Sequence, residues 1–271
     1  MAFARADLES LLRARQLDRT LTTALPSIDP RDESALAPSG ISALDARLGG
    51  GFPRGQLSEL VGSRSSGRTS LLLHMLAAAT ARGELVAVVD ALDMLDVESA
   101  AASGVDLARL LWIRGHVVTS PGMCRDLNQR AIEQAIRAFT LVLQAGNFGF
   151  VVFGAAEVPA DAVRRLPFTT WLRLQRMVEA SQTACVLVGS EPMARSSAGL
   201  TLRLEVTEGI RGSGVGSRRD SGLGSRDSAS GIRFQKCLFD GLSVEARVIR
   251  ARAREQEEAT AVFSTVASDC A

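Results

Sequence analysis

The stretch Glu59–Leu76, "ELVGSRSSGRTSLLLHML", constrains this chain more than any other. "QLSELVG" reads as a strand, and "TSLLLHMLAAATARG" reads as a helix stopped by Gly83. Between them Gly62 and Gly67 stand at the spacing of a phosphate-binding loop, G-x-x-x-x-G-K-[ST]. Such a turn aims backbone N–H groups at an anion, and the helix N-terminus adds partial positive charge. Gly62, Ser63, Arg64, Ser65, Ser66, Gly67, Arg68, Thr69 and Ser70 are therefore the candidate nucleotide-binding set. Arg68 occupies the lysine position; it keeps the charge but is bulkier and planar, so the two are not interchangeable. A glycine turn between strand and helix also forms without a ligand, and the loop alone leaves both readings open.

The rest of the chain continues an α/β rhythm. "ELVAVVDA", "RLLWIRG", "FGFVVFG" and "TACVLVGS" read as strands, the most apolar of them buried on both faces. Helical segments alternate with them: "DMLDVESAAASG", the long "PGMCRDLNQRAIEQAIRAFTLVLQAG" with Pro121 near its start, and "DAVRRLPFTTWLRLQRMVEAS" with a break at Pro167. The expected fold is α/β, a mainly parallel central sheet flanked by helices. An amphipathic helix within residues 1–22 precedes a proline-rich linker over 23–39, and the core spans 40–254. Residues 209–231 form a flexible Gly/Ser/Arg-rich insert. The Asp240-Gly241 pair marks a C-terminal β-hairpin, and 255–271 reads as a polar tail. The N-terminal helix folds back on its own domain or docks on a neighbouring subunit, which would make a homo-oligomer.

Composition removes several functions. Net charge is +1, so no global field draws the chain onto nucleic acid, and any basic patch is local. The four cysteines form no C-x-x-C pair; Cys185 and Cys237 lie in apolar runs and read as buried thiols rather than metal ligands. No signal peptide and no apolar run long enough for a bilayer is visible, which points to a cytoplasmic protein without a membrane partner.

Hydrolysis of a nucleotide would need an acidic residue ending a neighbouring strand to hold Mg²⁺, and a carboxylate to orient water. In "FVVFGAAE", Phe153 and Gly154 occupy that place. Asp90 does end a strand, with Asp93 and Asp96 beyond it, and capping of the next helix is the favoured role for these aspartates.

Taken together, "SGISALDARLGGGFPRGQLSEL", the glycine loop and "GVDLARLLWIRG" resemble the RecA/Rad51 family, specifically over about residues 36–118 and by topology to about 252. Within it they are most similar to the ImuA-like branch. That resemblance implies a RecA-like P-loop fold and a DNA-repair or SOS mutagenesis role. The partners it implies are a Y-family polymerase homologue and an error-prone polymerase in translesion synthesis, with single-stranded DNA beside them. It also implies ATP and Mg²⁺ as cofactors, yet four family positions are altered: the lysine is Arg68, the catalytic glutamate is Leu92, the Walker B aspartate is Phe153, and the glutamine sensor is Ser190. A pseudo-ATPase with no catalytic residue and no resident metal is expected, one that binds ATP without efficient hydrolysis. The loops that line the family's DNA channel correspond to "AAEVPADAVRRLP" and "SEPMARSSAG", with Arg164, Arg165, Arg195, Ser196 and Ser197 as candidate DNA contacts. Two rival readings are an active DNA-dependent ATPase using Arg68 with Asp90 or Glu157, and a regulatory module that kept the fold and lost DNA.

Overall fold

The computed structural model describes residues 35–115, 125–179, 181–210, 241–251 and 259–266. The expected N-terminal helix, most of its linker and nearly all of the 209–231 insert lie outside these residues, as do His116, Cys124, Cys237 and Cys270.

Two short strands, β1 (Leu36–Ala37) and β2 (Phe52–Pro53), pair antiparallel around helix α1 (Ser42–Arg47). Strand β3 (Leu57–Gly62) then runs into α2 (Arg68–Ala81). Alternation continues through β4 (Val86–Asp90), α3 (Val97–Ala102), β5 (Leu110–Arg114), α4 (Arg125–Ala145) and β6 (Phe150–Gly154). Pro167 separates α5 (Ala160–Arg164) from α6 (Phe168–Val178), because its ring favours an N-terminal position over the interior of a helix. Strands β7 (Ala184–Gly189), β8 (Ala198–Ile210), β9 (Gly241–Ala251) and β10 (Thr260–Val266) complete the order.

Among the described residues the main sheet runs β10-β9-β8-β3-β7-β6-β4-β5. The pairs from β8 to β5 are parallel, and β9 and β10 extend the β8 side antiparallel. The expected mainly parallel sheet is thus present. Two expectations change: Leu36–Ala37, read as part of the linker, form β1, and residues 260–266, read as part of a polar tail, form β10. Ala261 and Phe263 are buried there, and the strand pairs with the otherwise open edge of β9.

Each face of the sheet carries its own core. Leu60, Val88, Phe150, Val152, Val186 and Leu202 pack with Leu72, Met75 and Leu76 of α2. Leu57, Val89, Val151, Phe153, Cys185 and Leu187 pack on the other face with Phe139 of α4 and Trp171 and Leu174 of α6. Period-two alternation of the strands accounts for this division, since successive side chains point to opposite faces. Because the strands from β3 to β5 are parallel, their C-terminal ends share one edge, where Gly62, Asp90, Gly154 and Gly189 lie.

Candidate functional site

At that edge the loop between β3 and α2 makes the turn its glycines predict. Gly67 adopts φ 87°, a left-handed conformation, and Ser65 adopts φ 61°. Ser66 N–H donates to the Ser63 carbonyl at 3.2 Å, and Leu71 N–H closes the first helical bond on Gly67 at 2.9 Å. Neither glycine has room for a side chain. A Cβ on Gly62 would lie 2.4 Å from Ser66 Oγ and 2.7 Å from the Leu204 carbonyl, and one on Gly67 would lie 2.7 Å from Val244 Cγ2. The antiparallel strands β8 and β9 therefore press on the loop from behind. Ser63, Arg64, Ser65 and Thr69 are exposed, Ser70 is half-buried, and Ser66 is buried with its hydroxyl unpartnered.

Arg68 does not project into solvent: its side chain is 6% exposed. Its Nη1 donates to the Ala156 carbonyl at 3.3 Å, and Nη2 lies 3.7 Å from Glu157 Oε1. The other oxygen of Glu157 accepts from Arg64 Nη2 at 2.9 Å. Burial is the largest influence on Arg68 and lowers its pKa; Glu157 opposes this and Arg64 adds to it.

The aspartates at and beyond the end of β4 are structural, and of the three only Asp96 caps the following helix. Asp90 Oδ2 accepts from Met94 N–H at 2.6 Å and Leu95 N–H at 2.7 Å. Asp93 takes both Nε and Nη2 of Arg114 at 2.7 Å each, and that hydrogen bonding holds its carboxyl below the ordinary range despite an opposing desolvation. Asp96 caps α3, accepting from Glu98 N–H at 3.1 Å and Ser99 Oγ at 2.5 Å. Leu92 is buried, and Phe153 is fully buried on the sheet face away from α2. Val152 and Gly154 flank it on the α2 face, so the end of β6 offers the loop no carboxylate. Among the described residues no group of three or more His, Cys, Asp and Glu side chains comes together to hold a metal. His74 on α2 is half-buried, and burial pushes the Cys185 thiol far above its ordinary pKa.

The two candidate DNA loops meet each other. Arg164, at the end of α5, pairs with Glu191 at 2.6 Å and with Asp161 at 3.8 Å. Arg165, Arg195 and Ser196 are exposed. Arg195 has φ 50°, and its carbonyl accepts from Arg250 Nη1. Ser197 is placed differently from the surface role expected of it: it is 1% exposed, at the end of the segment between β7 and β8. That segment is anchored by Glu59, a carboxylate buried within β3. Its Oε1 accepts from the N–H groups of Met193 and Ala194 at 2.6 Å each, and its Oε2 from Thr201 Oγ1 at 2.8 Å. Sequence reasoning missed the Glu59 and Glu191 contacts. An acidic residue inside an otherwise buried strand was the available signal for Glu59, whereas nothing local marks Glu191.

Comparison with known proteins supplies the relationship. The RecA N-terminal domain model matches residues 26–118. Protein RecA of Acholeplasma laidlawii is 49% identical over 135 residues, covering 48% of this chain and 37% of that protein. Protein RecA of Clavibacter michiganensis subsp. michiganensis is 39% identical over 134 residues, covering 48% of this chain and 33% of that protein. The chain therefore spans about a third of the length of these curated relatives. The crystal structure of the RadB recombinase shares the fold, with TM-score 0.52 and 18% identity over 84% of this chain and 95% of that one. Residues 26–118 are thus similar to the RecA N-terminal domain, and the chain shares the fold of a RecA-like recombinase.

Proposed function

We propose that this protein is a RecA-like factor of DNA repair that acts as a pseudo-ATPase, through protein contacts and single-stranded DNA rather than through nucleotide turnover. The observation that carries this reading is the state of Arg68, buried and engaged by Ala156 and Glu157, beside a β6 end without a carboxylate. A phosphoryl-transfer site works by positioning charge on the phosphates and on Mg²⁺. Here the cation is directed into the protein and the metal-binding position is apolar. ATP is the cofactor proposed for the glycine loop, bound without efficient hydrolysis, and Mg²⁺ would come with its phosphates rather than be held by β6. An SOS mutagenesis role with a Y-family polymerase homologue and an error-prone polymerase belongs to this reading, as does a homo-oligomer formed through the N-terminal helix. The rival reading, an active ATPase, assigns catalysis to Asp90 or Glu157. Asp90 is occupied by two backbone N–H groups and Glu157 by two arginines, which disfavours it.

The test is ATP hydrolysis measured with and without single-stranded DNA. The expected result is no DNA-stimulated turnover. Turnover at the level of an active recombinase, abolished by Arg68→Ala, would overturn the proposal. DNA affinity is tested at low salt, where phosphate contacts are strongest. Arg165→Ala and Arg195→Ala are expected to weaken binding, and unchanged affinity in both removes these loops as the DNA contact.

A further inference from the structure

Two arginines of the loop converge on a carboxylate that belongs to the chain itself. Glu157 lies on the connection between β6 and α5, and each of its oxygens faces a different guanidinium. We propose that the Glu157 carboxylate is the resident anion of this loop, set where a phosphate oxyanion would neutralise Arg64 and Arg68, and that it excludes phosphate esters until it is displaced. The inference rests on the reading of the loop as a phosphate site, and it names what controls entry to that site.

Three observations support it. Arg68 is 6% exposed and finds its carboxylate in Glu157, so the buried cation already has a counter-ion before any ligand arrives. Ser66 keeps a buried hydroxyl with no partner within the loop, hydrogen-bonding capacity that the protein itself leaves unused. The contact is also displaceable. Arg64 is 80% exposed and Glu157 25%, so their pair is weakly held, and the Arg68 contact at 3.7 Å is longer than a hydrogen bond. A polyphosphate carries more charge than one carboxylate and can compete for both guanidinium groups, which bind oxyanions through the same donors.

The experiment is calorimetric titration of the full chain and its Glu157→Gln variant with inorganic tripolyphosphate and with ATP. Glu157→Gln is expected to bind both ligands about tenfold more tightly than the parent, the scale of one lost charge-assisted competitor. The gain is expected to be equal for the two ligands, because it arises at the phosphates, and to vanish in the double variant Glu157→Gln, Arg68→Ala. Glu157→Asp keeps the charge and the fold but withdraws the carboxylate by one methylene, and a smaller gain is expected there. No gain in either variant, or a gain that survives loss of Arg68, overturns the proposal. The readout is binding, so the outcome is separate from whether the protein hydrolyses ATP.

Discussion

Phe153 shows at the scale of one residue why a carboxylate cannot be introduced at the end of β6 by a single substitution. Its ring centroid lies 5.2 Å from that of Phe139 and 6.3 Å from that of Trp171, in a core on the far side of the sheet from α2. An ionised carboxylate at this position would be stripped of water without a partner, which costs several kcal/mol. Phe153→Asp is accordingly expected to lose at least about 4 kcal/mol in urea unfolding and to gain no ATP turnover. Phe153→Leu, which stays apolar, is expected to lose only about 1–2 kcal/mol. A stable Phe153→Asp protein with Mg²⁺-dependent hydrolysis would show instead that this side chain reaches the loop.

Among elements, the connection from β7 to β8 owes its shape to β3, the strand that lies between those two in the sheet. Glu59 offers both oxygens to three donors, so its buried charge is compensated, and Met193, Ala194 and Thr201 are fixed against β3. Glu59→Ala leaves three buried donors without an acceptor, each costing about 1–3 kcal/mol. The expected loss is roughly 3 kcal/mol or more in urea, with new protease cleavage between residues 190 and 198. Glu59→Gln keeps one carbonyl acceptor and is expected to lose less; an unchanged midpoint for Glu59→Ala would refute the anchoring role. The strands of the parallel sheet were legible in the sequence because "LVAVVD", "FVVFG" and "ACVLVG" are continuous apolar runs, as burial on both faces requires. The Asp96 cap was legible because Asp96 and its helix are sequence neighbours, whereas Asp90 and Asp93, expected to cap with it, instead hold the Met94–Leu95 turn and pair with Arg114. Strand β10 was not, because Ala261 and Phe263 alternate with Thr260, Val262 and Ser264, and so short a pattern has meaning only beside the open edge of β9. The Arg64–Glu157–Arg68 cluster was not legible either: it joins two loops far apart in the chain, and spacing carries no trace of it.

Over the whole molecule, the edge opposite the loop is closed by a second cluster of charges. Arg54 donates to the carbonyls of Leu36 at 3.2 Å, Gly149 at 2.9 Å and Gln182 at 3.0 Å, and to Glu84 at 2.7 Å. Arg82 donates to Glu84 at 2.8 Å and to the Pro38 carbonyl at 3.3 Å. These contacts tie β1 and the entries to β4, β6 and β7 into one edge. Burial, the largest influence on Glu84, raises its pKa, but hydrogen bonds and charge from Arg82 and Arg54 together hold it below its ordinary value. A carboxylate depressed in the folded state contributes stability that is present above its unfolded pKa of about 4.3 and is lost as pH falls through the folded value. Unfolding free energy is therefore expected to be insensitive to Glu84 between about pH 5 and pH 7, and to fall with acidification below about pH 4. Glu84→Gln is expected to be less stable at pH 7 and to show a shallower acid slope, because the titrating group is gone while two arginines lose their counter-ion. Arg54→Ala is expected to cost about 2–3 kcal/mol at pH 7, since the Leu36, Gly149 and Gln182 carbonyls each lose a donor, Gly149 keeping Ala184 N–H, and Glu84 is left with one arginine, and to move the acid transition to higher pH. Urea titrations at several pH values separate these cases. Parallel stability–pH curves for the parent and Glu84→Gln would show that acid sensitivity arises elsewhere in the molecule.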